Sequence, residues 1–194
     1  MRKAKVKTSG FSKRGKKTFK TVEDLPTVDG ISEKLMRKIH ESLLSHKAGL
    51  KRYNEVKDSP KDLQIFCSMY RNPLHDTTGT NFFSTGLKSS RAMKCLTCET
   101  VKDHFIQRTK ALRYIFRELN KDPEMSILDF IDLMVKYAST VRLTKDEHKL
   151  VNLASKKYPK FTNVKLYKKL GIKVPGLGDW CKKNYVTRVI ERSF

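Results

Sequence analysis

The sequence predicts an α+β fold that is mostly helical, with helices around a small ββα unit and a basic arm at the N-terminus. Three observations lead to this prediction. Apolar residues such as Leu35, Ile39 and Leu43 recur at helical spacing. A short alternating run at residues 140–143 passes directly into a helix with an acidic first turn. With 38% hydrophobic residues, a chain of 194 residues can bury one ordinary core.

The chain is strongly basic, and this charge indicates its class of partner. It has 42 Lys and Arg against 20 Asp and Glu, which is a formal net charge of +22. Such an excess favours polyanions, and nucleic acid is the leading candidate. No stretch approaches the roughly 18 apolar residues of a spanning helix, and the start MRKAKVKTSG lacks the apolar stretch of a secretory signal. We therefore expect a nucleic-acid partner, no membrane association and a cytoplasmic location.

Residues 1–20 form the first predicted region, a disordered basic arm. They hold nine Lys or Arg and no acid, with few apolar positions, so they cannot bury enough surface to fold alone. The run KRGKK at residues 13–17 suits either DNA contact or nuclear localisation in a eukaryotic cell. In the first interpretation the contacting side chains are Lys13, Arg14, Lys16 and Lys17.

Residues 21–95 are predicted to be a helical DNA-contacting region. A first helix follows Ser32, which caps it, and a second begins near Pro60. A polar loop at residues 75–91 comes next, and its glycines and serines suit backbone N–H contacts to phosphate. The predicted DNA contacts of this region are Arg71, Lys88 and Arg91.

Two histidines of the first helix, His40 and His46, fall on or near its polar side. An exposed histidine is the common case at such positions, so we expect both to be exposed and assign them no chemistry.

The four cysteines are expected to be reduced thiols, because nothing about the chain indicates a small secreted protein. Cys95 and Cys98 form a CxxC pair, which is compatible with zinc. A closed zinc site needs a second pair, however, and Cys67 and Cys181 are single and far apart. In the alternative interpretation Cys95 and Cys98 are small apolar fillers beside a turn.

The spacing of apolar residues between 106 and 138 predicts two helices, separated by a break at Asp122 and Pro123. Three arginines of the first helix lie off its apolar face, where a solvated face and DNA contact are both open. They are Arg108, Arg113 and Arg117. Residues 156–194 are predicted to be a basic C-terminal tail. Its aromatic residues suit packing or base stacking.

Residues 96–155 carry the candidate site. His148 follows Thr144, a predicted N-cap, in the first turns of a helix, where a surface histidine is the commoner explanation. Its expected partner is the Asp103-His104 pair, which adjoins a short strand at Val101. Neighbouring strand residues point to opposite faces, which suits a division in which Asp103 holds a metal and His104 acts as base. The order strand, helical connection, strand and helix is a ββα metal arrangement.

These residues resemble the HNH nucleases, most of all the small free-standing homing endonucleases of phage genomes. STVRLTKDEH at residues 139–148 is similar to the second strand and helix of that family, and VKDHF to its first strand. The resemblance implies that Asp103 and His148 bind one divalent metal and that His104 is the general base. It also implies a ligand or polar contact at Asn152, and it places Ser139 where the family has the asparagine that orients the base.

The function implied by the resemblance is a metal-dependent DNA endonuclease that hydrolyses phosphodiester bonds in double-stranded DNA. One divalent ion is expected, Mg or Mn first, with Zn or Ni also compatible. Arg91 or Arg108 would add charge at the transition state. The alternative is a non-catalytic basic protein that binds DNA or RNA. The oligomeric state is not predicted.

Overall fold

The structure is a computed structural model that describes residues 30–70, Leu74, Thr77 and residues 83–183. The predicted basic arm with its lysines and arginine, and the predicted DNA contact Arg71, lie outside the described residues. Within them the fold is α+β and mostly helical, as predicted, with eight α-helices and a three-stranded sheet.

The helices follow one another along the chain with two interruptions by strands. They are α1 (Glu33–Ala48), α2 (Leu50–Val56), α3 (Pro60–Met69), α4 (Arg108–Lys121), α5 (Ile127–Ala138), α6 (Lys145–Lys157), α7 (Asn163–Lys169) and α8 (Leu177–Lys183). The strands are β1 (Ser84–Lys88), β2 (Thr100–His104) and β3 (Thr140–Thr144). Two short 3-10 helices, Ala92–Lys94 and Thr97–Glu99, connect β1 to β2.

The predicted start of α1 is confirmed in its chemistry. The Ser32 hydroxyl accepts the backbone N–H of Leu35 at 3.3 Å, which satisfies one of the donors left unpaired at a helix start. Gly49 ends α1 and caps α2. A Cβ at residue 49 would overlap the side chain of Tyr70, so glycine permits α3 to pack closely against the α1–α2 junction.

An aromatic cluster around Phe116 joins the first three helices to α4. The Phe116 ring lies 4.8 Å from Phe66, 4.9 Å from Tyr70 and 5.5 Å from Tyr53, measured between ring centroids. Aromatic pairs at these separations contribute beyond the area that they bury. Of the two helices predicted between residues 106 and 138, α4 packs against α1, α2 and α3, and α5 packs against α1 and α4.

The sheet has the order β1-β3-β2, so β3 is central and β2 is an edge strand. β2 pairs antiparallel with β3, and β1 pairs parallel with it. Thr140 lies opposite His104, and Val141 lies opposite Asp103. Since directly paired residues share a face, Asp103 lies on the face of the fully buried Val141, and His104 lies on the other.

Two segments differ from their predictions because their partners are distant in sequence. The predicted polar loop at residues 75–91 contains β1, a five-residue strand with little apolar character. It forms a strand because its backbone pairs with the buried strand β3. The predicted tail contains α7 and α8. These helices bury Leu166, Tyr167 and Leu177. The lysines at the C-terminal end of each helix are exposed.

None of the helices that the structure describes is both long and apolar enough to cross a lipid bilayer.

The prediction that His46 is exposed is wrong, although the helix itself is correct. His46 is fully buried against the rings of Tyr70, Phe116 and Phe130. Its Nδ1 lies 2.6 Å from the carbonyl oxygen of Ser42, so Nδ1 carries the proton and donates. The hydrophobic stripe of α1 is wider than its leucines indicate, and a neutral imidazole occupies part of it.

We predict that His46 makes folding sensitive to acid. Burial lowers the pKa of His46 from 6.5 to about 4. The unfolded chain therefore binds this proton more tightly, so the stability is fully present above about pH 6.5 and is lost as the pH falls toward 4. The loss from this residue amounts to about 3 kcal/mol.

The measurement is the free energy of unfolding by urea at several pH values between 7 and 4. The variants are His46→Leu and, as the control on the same helix, His40→Leu. The difference between wild type and His46→Leu should shrink or reverse toward pH 4, because only wild type loses the imidazole contribution. Parallel pH dependences for wild type and His46→Leu would contradict the assignment.

Candidate functional site

The site begins with two side chains that the sequence separates by 45 positions. Asp103 lies on the face of edge strand β2 that α6 covers, and His148 lies in the first turns of α6. His148 Nε2 is 3.4 Å from Asp103 Oδ1. The structure thus brings together the two residues predicted as metal ligands, at the end of α6 that adjoins the sheet.

Two residues of α7 hold the other oxygen of Asp103. The Tyr167 hydroxyl donates to Oδ2 in a short hydrogen bond, and Asn163 Nδ2 donates to the same oxygen at 3.2 Å. Burial raises the pKa of the Asp103 carboxyl. The strongest opposing effect is the hydrogen bond from Tyr167, followed by the charge of His148. Burial also raises the pKa of Tyr167 well above 10, so its hydroxyl remains a donor.

Asn163 also connects the two adjacent site residues. Its Nδ2 donates to the backbone carbonyl oxygen of His104 at 2.7 Å while it contacts the Asp103 carboxylate. The Asp103 carboxylate and the His104 carbonyl are both hydrogen-bond acceptors, so the Asn163 group that faces them is the NH2 and not the amide oxygen. The Asn163 side chain therefore fixes the β2 backbone at the point where Asp103 and His104 diverge to opposite faces.

The Asp103–His148 pair fits a divalent ion in its donor types and spacing. Two bonds of about 2.1 Å place their donor atoms about 3.4 Å apart at a tetrahedral angle and about 3.0 Å apart at an octahedral angle. Within the described residues, no three His, Cys, Asp or Glu side chains form a ligand group. If this pair held a divalent ion, waters and phosphate oxygens would have to supply the remaining ligands. Tyr167 and Asn163 donate to Oδ2, while Oδ1 faces His148 and also lies 3.4 Å from Asn163 Nδ2. Outer contacts of this kind orient a carboxylate that binds a metal.

Asn152, the third predicted ligand, lies one helical turn beyond His148. Its Nδ2 is 3.4 Å from each of the two ring nitrogens of His148. Its side chain is exposed. The structure therefore places Asn152 against the imidazole face, where it contacts the ring.

His104 is held by the backbone at the end of α5. Its Nδ1 lies 2.8 Å from the carbonyl oxygen of Ala138. A carbonyl only accepts, so Nδ1 is the protonated nitrogen and a neutral ring carries its lone pair on Nε2. That tautomer is the one a general base needs. The neighbouring Ser139, predicted to orient this histidine, donates its hydroxyl to the carbonyl oxygen of Val135 at 2.7 Å.

The capping box predicted at the start of α6 is confirmed and extends to β1. The Thr144 hydroxyl accepts the N–H of Glu147, and Glu147 Oε2 accepts the N–H of Thr144. The same carboxylate oxygen accepts the Ser89 hydroxyl at 2.6 Å. Glu147 is buried, so this one carboxylate fixes the start of the His148 helix to the segment after β1.

The predicted DNA-contacting residues within the described ranges fall into two groups. Lys88 and Arg91 are exposed beside the sheet. Arg108 begins α4, and its charge makes the smallest of the contributions that lower the pKa of Asp103. Arg113 and Arg117 lie further along α4. Arg113 contacts the carbonyl of Pro60, and Arg117 lies over the ring of Tyr114 and near Glu118.

The cysteines do not add ligands to this site. All four are free thiols in the structure. Burial raises the pKa of Cys67 and of Cys181 to about 11, which keeps both as neutral fillers of the core. Cys95 and Cys98 are at least partly exposed beside the second 3-10 helix.

Sequence reasoning missed four residues that surround the site, Lys102, Arg142, Asn163 and Tyr167. Lys102 and Arg142 could have been found from the alternation of side chains along the strands. Lys102 is two residues before His104 and therefore lies on the same face of β2, and Arg142 lies opposite Lys102 on β3. The signal for the last two was a four-residue spacing in a segment predicted as tail.

With this geometry in view, we compared the chain with protein-family models, curated proteins and solved structures, and none of the three comparisons found a match.

We predict that Glu147→Ala destabilises the fold by at least about 2 kcal/mol, because it leaves the buried Ser89 hydroxyl and the Thr144 N–H without their acceptor. The matched control is Asp146→Ala, which removes an exposed acid from the same helical turn. The control should cost no more than about 1 kcal/mol through the helix dipole. Equal losses in the two variants, measured by denaturant unfolding, would contradict this role.

Proposed function

We propose that this chain is a metal-dependent endonuclease of the HNH type that hydrolyses phosphodiester bonds in double-stranded DNA. The observation that carries the proposal is the 3.4 Å separation of Asp103 Oδ1 and His148 Nε2, with His104 adjacent on the same edge strand. A carboxylate, an imidazole ligand and an imidazole base are the groups that this chemistry requires. The formal charge of +22 supports DNA as the substrate.

The opposite orientation of Asp103 and His104 supports an in-line reaction. In such a displacement the attacking water and the leaving oxygen lie on opposite sides of the phosphorus. The alternation along β2 places His104 and Asp103 on opposite faces of the strand, so in this mechanism the base and the metal-binding pair act from opposite sides of the phosphate. The proposed metal ligand Asp103 and the proposed base His104 therefore act from different faces of one strand.

His104 takes the proton from the attacking water in this mechanism. Donation from Nδ1 to the Ala138 carbonyl orients the ring, and in this tautomer Nε2 is the nitrogen that accepts a proton. Once protonated, the imidazolium is stabilised by the same carbonyl. Tyr167 and Asn163 keep the Asp103 carboxylate in place on the far side. A divalent ion bound by Asp103 and His148 would neutralise phosphate charge and stabilise the leaving oxygen.

Arg108 is the better of the two candidates for additional positive charge. Its charge acts on Asp103, whereas Arg91 is an exposed residue at the start of a 3-10 helix. A cation beside the scissile phosphate stabilises the charge that develops on it.

The second candidate function is a non-catalytic protein that binds DNA or RNA. The observation that favours it is the completeness of the Asp103 network. Hydrogen bonds from Tyr167 and Asn163 and the contact with His148 together satisfy this buried carboxylate without a ligand. A fully satisfied polar network of this kind also serves to specify a core.

We predict that His104→Ala lowers metal-dependent nicking by roughly two to four orders of magnitude, the usual contribution of a positioned general base. DNA affinity should be nearly unchanged, because one neutral side chain is lost from a strongly basic protein. The measurement is plasmid nicking with Mg or Mn, with DNA affinity determined in the same salt. The control is His40→Ala, on α1.

The two functions give different outcomes in this experiment. Undetectable nicking by wild type, or nicking that His104→Ala leaves unchanged, would reject the mechanism and favour the binding protein.

We also predict that Asp103→Asn and His148→Gln each reduce Mn²⁺ affinity at one common site by at least about tenfold, because each removes one of two protein ligands. Asn at residue 103 keeps the size of the side chain, which limits effects on folding. Isothermal titration calorimetry measures the affinity, and Asp146→Asn, in the first turn of α6, is the control. Unchanged stoichiometry and affinity in both variants would place the metal elsewhere.

A further inference from the structure

The face of the sheet that carries His104 also carries a row of cations. Lys102 pairs with Arg142 across β2 and β3, and Lys88 pairs with Arg142 across β1 and β3. Paired residues share a face, so the three side chains lie side by side on all three strands. At about 4.8 Å between strands, the row spans about 10 Å. We call Lys88, Arg142 and Lys102 the cationic row.

The row opens toward solvent. Lys88 is exposed, and Lys102 and Arg142 are half-buried. His104 is half-buried two residues after Lys102, on the same strand and face. At about 3.3 Å of rise per residue, it lies about 7 Å along β2 from Lys102.

Lys102 and Arg142 place like charges directly opposite each other on β2 and β3. Like charges directly opposite each other in a sheet are destabilising. An anionic ligand that neutralises the row would offset this cost, and a phosphate backbone is such a ligand.

Arg142 is oriented before any ligand arrives. Its Nη1 donates to the Thr100 hydroxyl at 3.1 Å, and its backbone carbonyl accepts the N–H of Ser89. A guanidinium held in this way keeps further N–H donors for a phosphate and loses little conformational entropy when it binds.

We propose that the cationic row binds the phosphate backbone of double-stranded DNA and brings one strand to His104. This inference shares with the proposed function the assumption that DNA is the partner, and it names the surface that holds it. The ligand is the backbone because ammonium and guanidinium groups on a flat sheet match regularly spaced phosphates and need no particular base. A strand that crosses Lys88, Arg142 and Lys102 reaches the sheet edge, where Asp103 and His104 diverge.

The test compares two double variants with the same loss of charge. Lys102→Gln with Arg142→Gln alters the row. Lys34→Gln with Lys38→Gln removes two exposed cations from α1. Affinity for a duplex of random sequence is measured by fluorescence anisotropy against salt concentration, with EDTA present so that no divalent ion contributes.

The row variant should bind at least about tenfold more weakly than the control variant at moderate salt. Its plot of log affinity against log salt should be shallower than that of wild type by about 2, since each phosphate contact contributes about 0.9. Equal effects of the two double variants would overturn the proposal.

Two further variants guard against a folding artefact. Lys88→Gln alters only an exposed side chain, and it should lose affinity as one member of the row. Lys102→Arg keeps the charge and should retain binding, whereas a loss in Lys102→Arg as large as in Lys102→Gln would overturn the proposal. Binding that depends on the row in a protein without nicking activity would retain this inference and reject the nuclease.

Discussion

The buried carboxylate of Asp103 is the constraint on which the site depends. A charged group at this depth is costly unless it is paired and hydrogen-bonded. Its partners come from α6, which carries His148, and from α7, which carries Asn163 and Tyr167. The carboxylate of Asp103 therefore contacts two helices, α6 and α7, that pack against the sheet at β2. The segment predicted as a tail becomes part of the site for this reason.

The second organising constraint is the alternation of side chains along β2. It sends Asp103 under the helices and His104, with Lys102, to the open face. A shift of one residue in the pairing with β3 would exchange the faces, so the register of β3 determines which groups are buried. Glu147 strengthens that arrangement, because it joins the start of α6 to the segment after β1. The same register that packs the core thus separates a buried pair from a cationic surface.

The parts that the sequence predicted correctly depend on neighbours within a few residues. The cap at Ser32 and the capping box at Thr144 need only local atoms, and both are confirmed. The parts that failed depend on distant partners. β1 forms because β3 lies beside it, and His46 is buried because Phe116 and Phe130 surround it. The β1 segment and the position of His46 both look polar and exposed from the local sequence. Only their packing against distant residues makes one a strand and buries the other.

The environment of His104 shows a further limit of reading side chains from a motif. The resemblance to the HNH nucleases implied an orienting role for the side chain at residue 139, where this chain has serine. In the structure the carbonyl of Ala138 meets His104 Nδ1, and the Ser139 hydroxyl bonds to Val135 instead. A backbone carbonyl accepts a hydrogen bond as an amide side chain does, and every residue type supplies one. The position of the backbone carbonyl at the end of α5, rather than the identity of residue 139, thus determines the tautomer of this histidine.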